Sequence, residues 1–479
     1  MADNGIVTLR ASRQIITRDG RAIDFEYPRI QLSTNDEPKE KPNKDSKHIL
    51  ILGGGVSALT VAWILLDSGY RVTLVAEQWA WTKDFVKSRI TSQIAGALWE
   101  YPPGGCGLTE VVYAGKGWST LEHYQEWALQ SYEFYKNLAE TQNSHERRGR
   151  SFGLNITQLH QFFFEPIELK RDTGRDPNAN DSHAIKLQGI EEAVEDHRMH
   201  GYKRYRTRDD LEREFTDFSF SRDYRGGFEC GYTHDAPIIN TDKAMAYLMA
   251  LVKCKGANFE TREIKSNLRD QGQGLLEIFG ANAVVNATGL GAKDLLGDED
   301  VYPVRGAILR VDNTRNGQFN HLNDAYLVPA QKDNNGVPAG VVFIVPRNDN
   351  ILYVGSIIQP HNDQANLEPG SPEVRVMWDR AAEFMPSLRH AEFVHHYPFA
   401  QGLRPFTKKN VKVRADTKAG FPLVHNYGHG GSGWTLGFGT ARCAVYILKA
   451  LLEEDYGEAD EEWNQKAEKI NEKIYGKQD

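Results

Sequence analysis

HILILGGGVSALTVAWILLDSGYRVTLVAE, His48 to Glu77, runs from an apolar segment, Ile49 to Leu52, through Gly53, Gly54 and Gly55 into a second apolar run, Val56 to Leu66. That order reads as strand, tight turn and helix, and a further apolar strand, Val72 to Ala76, ends at Glu77. The unit has the length that a dinucleotide-binding strand-helix-strand fold requires. Gly53 serves the tight turn, Gly55 lets the backbone approach a pyrophosphate, and Ala58 keeps the helix close to the strand. Val56 and Ser57 open that helix, whose unpaired amides and positive dipole end favour phosphate, while Glu77 is placed to accept hydrogen bonds from a ribose.

The 479 residues suffice for two to three domains around a large core. With 40% hydrophobic and 25% charged residues and no apolar run expected to span a membrane, the composition is that of a soluble globular protein. A formal charge of -8 disfavours nucleic acid and anionic membrane as partners. Cys106, Cys230, Cys254 and Cys443 form no C-x-x-C pair and read as reduced thiols, and the termini carry no recognised targeting signal, so a cytoplasmic location is the expectation.

Outward from the glycine turn, residues 1–47 read as a flexible surface extension, with Asn35 to Lys47 its polar part. Ser88 to Pro103 carries hydroxyls at Thr91 and Ser92 and small residues at Ala95, Gly96 and Ala97. This suits a segment pressed against a flat cofactor, or equally a glycine turn with exposed hydroxyls. Ser119 and Glu122 form a capping box before an amphipathic helix whose aromatics belong to the core. Strands follow over Phe152 to Phe164, and residues 168–210 form a charged insertion expected to be solvent-exposed, its histidines lacking a metal-ligand spacing.

Ala244 to Val252 reads as a helix, and Ala283 to Leu290 as an apolar strand ending in Ala287-Thr-Gly289. Short alternating runs between Tyr302 and Tyr353 predict a second, mainly antiparallel sheet, with a ligand site between the lobes. Gly402-Leu-Arg-Pro-Phe406 and His425-Asn-Tyr-Gly-His-Gly-Gly-Ser-Gly-Trp434 precede an apolar helix. So flexible a backbone before a helix brings amides toward an electron-rich part of a ligand. The tail from Glu461 reads as a surface helix.

The fold class is therefore α/β: a Rossmann-like dinucleotide-binding domain formed by 48–150, 241–300 and 401–479, and a substrate domain formed by 151–240 and 301–400.

Four separated segments together resemble the FAD-dependent D-amino-acid oxidase family: the glycine turn with Glu77, Thr91 to Trp99, Asn286-Ala-Thr-Gly289 with Tyr302-Pro-Val-Arg-Gly306, and Gly-Leu-Arg-Pro with HNYGHGGSGW. The resemblance spans most of residues 48 to 452. It implies noncovalent FAD held by Gly53, Gly55, Val56, Ser57, Ala58, Glu77, Thr91, Ser92, Ala95, Gly96, Gly289 and Arg404, with Gly428, Gly430, Gly431, Ser432, Gly433, Trp434 and Thr435 from the last motif. It implies oxidation of a D-amino acid by hydride transfer to the flavin, reoxidation by molecular oxygen giving hydrogen peroxide, and a possible homo-oligomer.

Arg404 matches the arginine that clamps the substrate carboxylate, and the Gly431 carbonyl matches the group that meets the substrate amine; no catalytic histidine or triad is implied. Where the family places a carboxylate-binding tyrosine, this chain has Phe343, with Tyr326 or Tyr353 as its substitute. That departure leaves open an oxidoreductase acting on another carboxylate-bearing amine, such as a secondary-metabolite intermediate. A catalytically silent flavin-bound binding module is the remaining reading.

Overall fold

The structure, a computed structural model, describes residues 5–12, 14–16, 22–23, 26–80, 89–104, 118–145, 151–169, 182–216, 220–265, 267–314, 319–332, 338–347, 350–453 and 460–476. Its first sheet has six strands in the order Asn258–Thr261, Arg71–Ala76, His48–Leu52, Ala283–Asn286, Leu423–Tyr427 and Lys412–Ala415, all parallel except the last pair. Every residue of His48–Leu52 is buried because both faces are covered. Ile49 and Ile51 pack on one side with the helices Val56–Asp67, Thr241–Cys254 and Gly433–Glu453, and Leu50 and Leu52 pack on the other with Leu275 and Phe421.

Gly53 follows the first strand with φ +129°, and a β-carbon there would overlap the Ala287 carbonyl; only glycine turns the chain so close to the neighbouring strand. The helix Gly433–Glu453 is long and apolar enough to cross a bilayer, contrary to the expectation from the sequence. However, 83% of its most apolar window is buried, and it is the central helix of the core.

The second sheet has nine strands and is mainly antiparallel, with one parallel pair between Ala325–Val328 and Leu154–Phe163. One transverse row of paired residues crosses it: Tyr232, Gln161, Leu327, Phe343, Gly355 and Ile308. Laterally paired residues share a face. Phe343 and Ile308 therefore face the first lobe, whereas Tyr326, one residue out of step, enters the opposite core with Phe220 and Phe384.

Three expectations are corrected. The N-terminal segment is not a flexible extension over its described apolar part. Ile6–Leu9 and Ile30–Ser33 pair antiparallel, and Val7, Leu9, Tyr27 and Leu32 are buried in the main core. Asn137 and Arg442 donate to the backbone carbonyls of Thr8 and Arg10 at 2.6 and 2.7 Å, which fastens the segment to two long helices. Among its described residues, the polar stretch Asn35 to Lys47 is the largely exposed part.

The charged insertion is not a solvent-exposed excursion either, since the helix Ser182–Glu195 buries Ala184, Lys186, Leu187 and Ile190; Asp172 to Pro177 lies outside the described residues. The capping box is displaced as well. Ser119 gives its hydroxyl to the Val411 carbonyl, and the helix Leu121–His145 is capped where His123 Nδ1 accepts from Thr120 N at 3.1 Å. Cys230, Cys254 and Cys443 form no disulfide among the described residues, and Cys106 lies outside them.

Candidate functional site

The two lobes enclose a cavity of about 430 Å³. Gly53, Gly55, Val56, Ser57, Thr91, Ser92, Ala95, Gly96, Gly289, Phe343, Arg404, Gly430, Gly431, Ser432, Gly433, Trp434 and Thr435 all line it. Segments separated by several hundred residues thus meet because the strand ends His48–Leu52, Ala283–Asn286 and Leu423–Tyr427 lie side by side in one sheet.

Two helix N-termini point into this space, those of Val56–Asp67 and Gly433–Glu453. Val56 N–H donates to Ser92 Oγ at 3.1 Å, and Trp434 Nε1 donates to the Ser92 carbonyl at 2.9 Å, so the Thr91 segment is tied to both helix ends. A β-carbon on Gly54 would come within 2.7 Å of the Gln78 carbonyl, which keeps that stretch of wall as bare backbone. Asn426 lines the cavity, is fully buried, and has neither its amide oxygen nor its amide nitrogen hydrogen-bonded to any described residue. An orphaned amide beside two positive helix ends fits a polar, anionic cofactor such as FAD.

His429 is a second buried polar side chain lining this end. Burial pushes its imidazole down to about 4, so it stands neutral, 3.0 Å from Thr440 Oγ1 and 3.5 Å from Ser57 Oγ.

Three predicted cofactor residues do not reach the cavity wall. Ala58 packs beneath the Gly53 turn, as the helix-strand contact requires. Gly428 turns the chain with φ +86° against Thr407. Glu77 is exposed just past Arg71–Ala76, and the cavity is lined instead by its neighbour Gln78.

Arg404 sits on Phe399–Thr407, paired with Val304 of Val301–Asp312. Its guanidinium lies across Gly306, where a β-carbon would overlap it, so the glycine ending Tyr302-Pro-Val-Arg-Gly306 is the floor beneath the arginine. Arg404 donates to the Ile357 carbonyl at 3.1 Å and to Ser356 Oγ at 2.9 Å, and it pairs with no carboxylate among the described residues. Of the five guanidinium N–H groups, these contacts leave three for a ligand.

Phe343 bounds the cavity beside Gly96, its ring tip 2.7 Å from where a β-carbon on Gly96 would stand. Neither proposed substitute for the missing tyrosine hydroxyl is available. Tyr326 points into the far core, 5.2 Å from the His160 ring. Tyr353 is buried between Arg310 and Arg347, with its ring centroid 4.3 Å from the Arg347 guanidinium, and does not line the cavity. The hydroxyl beside Arg404 belongs to Ser356, which no motif in the sequence marks.

Glu100, Gln161, Ser182, His183 and Lys186 also line the cavity and went unrecognised in the sequence. Glu100 directly follows the Thr91 to Trp99 segment and could have been read from that continuity; its ion-pair partner Lys186 comes from the insertion and could not.

Comparison with known proteins agrees with this geometry. The family described as FAD dependent oxidoreductase, or DAO, matches residues 48–447. A D-amino-acid oxidase of Rubrobacter xylanophilus is 27% identical over 403 residues, which cover 84% of this chain and 96% of that protein. Glycine oxidase from Bacillus cereus shares the fold, with a TM-score of 0.58 at 16% identity over 84% of this chain and 97% of its own. L-alpha-glycerophosphate oxidase from Mycoplasma pneumoniae, solved with FAD bound, gives a TM-score of 0.56 at 15% identity over 85% of this chain and 95% of its own. With the glycine turn, the two helix ends and the Arg404 wall in one cavity, the chain belongs to the DAO family of FAD-dependent oxidoreductases.

Proposed function

We propose that the protein is a D-amino-acid oxidase, converting the α-amine of a D-amino acid to an imine and passing the electrons to molecular oxygen. The observation that carries this reading is Arg404: a cation on the cavity wall, without a carboxylate partner among the described residues and with donors to spare. A guanidinium so placed binds a planar carboxylate through two parallel hydrogen bonds and thereby fixes the α-carbon.

FAD, when bound along the glycine turn and the Gly430 to Thr435 segment, supplies the acceptor for the hydride. The chain's own residues supply position. Arg404, its guanidinium steadied by the Ser356 oxygen, holds the carboxylate end, the Gly431 carbonyl meets the amine, and Phe343 bounds the space beside Gly96. As the α C–H bond breaks, the nitrogen lone pair forms the C=N bond and an N–H proton leaves to solvent. Water then releases ammonia and the 2-oxo acid. His429, neutral through burial, takes no part in this proton balance.

A second reading, another carboxylate-bearing amine, is favoured by Phe343, which offers no hydroxyl to the carboxylate. An anaerobic visible spectrum separates the two. Bleaching of the flavin band by pooled D-amino acids but not L-amino acids, with recovery and peroxide on aeration, is the expected result. A bound flavin that neither pool bleaches would favour the second reading.

A further inference from the structure

The end of the cavity away from Arg404 is also polar, and differently composed. Lys186, buried on the helix Ser182–Glu195, forms an ion pair with Glu100. Gln161, also buried, accepts through Oε1 from the Tyr232 hydroxyl, on which the Glu100 charge also acts, while its amide nitrogen donates to no described residue. All three line the cavity. Gln161 and Gly355, the residue before the Arg404 partner Ser356, lie in the same row three strands apart, roughly 14 Å. With its carboxylate on Arg404, a side chain as short as that of alanine does not reach that end.

We propose, resting on the D-amino-acid reading, that this end selects substrates whose long side chain finishes in an uncharged group able both to donate and to accept hydrogen bonds, a carboxamide being the simplest. A terminal carboxylate would meet Glu100, and a terminal ammonium would meet Lys186; either is opposed by one member of the pair. An apolar end leaves the Gln161 amide unpaired where water is displaced, whereas a carboxamide offers oxygen to Gln161 and Lys186 and N–H to Glu100.

The test measures kcat and KM of the FAD-loaded enzyme with D-glutamine, its near-isosteres D-methionine and D-glutamate, and D-lysine. D-alanine, too short to reach the pair, serves as a control. Wild type is expected to favour D-glutamine at least tenfold in kcat/KM over the other long substrates, mainly through KM. Glu100→Gln frees Lys186 and should raise D-glutamate at least tenfold relative to D-glutamine; Lys186→Met should shift preference toward D-lysine in the same way.

If a single variant fails to take up FAD, the double variant E100Q/K186M, which leaves no buried charge unpaired, must lose the preference for D-glutamine over D-methionine. A wild type that uses D-methionine as well as D-glutamine, an FAD-loaded Glu100→Gln variant with an unchanged ranking, or a double variant that keeps its preference would overturn the inference. Failure of every substrate, D-alanine included, to bleach the flavin would instead overturn the D-amino-acid reading beneath it.

Discussion

Two buried ion pairs show how the same chemistry serves different ends in the two lobes. Asp67 and Lys255, 1% and 0% exposed at their side chains, lie behind the glycine-turn helix. The Asp67 carboxylate also accepts from Ser33 N at 2.6 Å, Lys39 N at 3.0 Å and Trp63 Nε1 at 2.9 Å. It is a saturated junction that holds the N-terminal segment to the dinucleotide-binding lobe. Glu100 and Lys186, 17% and 3% exposed, hold mainly each other and border a cavity. A charge with all its bonds made inside the protein stabilises a shape; a charge pair with bonding capacity left over facing a cavity discriminates among ligands.

Asp67→Ala should break the first member of this comparison hardest. It strands the Lys255 ammonium and two backbone N–H groups, and a loss of about 3 to 5 kcal/mol in denaturant unfolding is expected. A loss below about 1 kcal/mol would show that water takes over the junction. Arg404→Leu tests the ligand-facing side at its stronger end. Two charge-assisted hydrogen bonds are worth about 3 kcal/mol or more together, so kcat/KM should fall a hundredfold or more while the melting temperature stays nearly unchanged.

Acid sharpens the contrast. Burial holds His123, His234 and His429 down to about 4, so between about 6.5 and 4 the unfolded chain binds more protons than the folded one. Stability should therefore be level above about pH 7 and decline as the pH falls from 6.5 to 4, read as melting temperature against pH. The Lys186 charge adds to the burial that depresses His234, so Lys186→Met should move that histidine upward in an NMR titration, whereas Lys255→Met should leave it in place. The smallest effect concerns the cavity wall between the two ends. Gly96→Ala places a methyl 2.7 Å from the Phe343 ring and should weaken FAD binding by about 1 kcal/mol, with Phe343→Leu restoring it. Failure of that rescue would mean the methyl meets something other than the ring.

The two ends of the cavity were also unequally legible. At the cofactor end each contact is made by a contiguous run whose residue types follow from local backbone need: glycine where Gly53 adopts φ +129°, and small residues where Thr91 to Gly96 meets the helix ends. At the substrate end the sequence marked Arg404 and the absence of a hydroxyl at Phe343, but it misassigned the replacement. Tyr326 and Tyr353 were plausible by type; strand alternation turned the first to the far core, and flanking arginines buried the second. The hydroxyl that does stand beside Arg404, on Ser356, accepts from the guanidinium and donates to the Ile357 carbonyl, and it has no signal of its own in the sequence.

By itself the sequence determined the α/β class and the strand-turn-helix that opens the dinucleotide-binding lobe, and its resemblance to one family pointed to FAD and to Arg404 as the proposed carboxylate clamp. The first two are written in short runs whose spacing or backbone demand is local. Only the tertiary structure decided that the N-terminal segment is core, that the charged insertion returns Lys186 to meet Glu100, and which hydroxyl stands beside Arg404. Those facts depend on which strands become neighbours and on which face each residue then falls. A register that reverses with a shift of one residue is set by packing across the whole sheet rather than by any segment read alone.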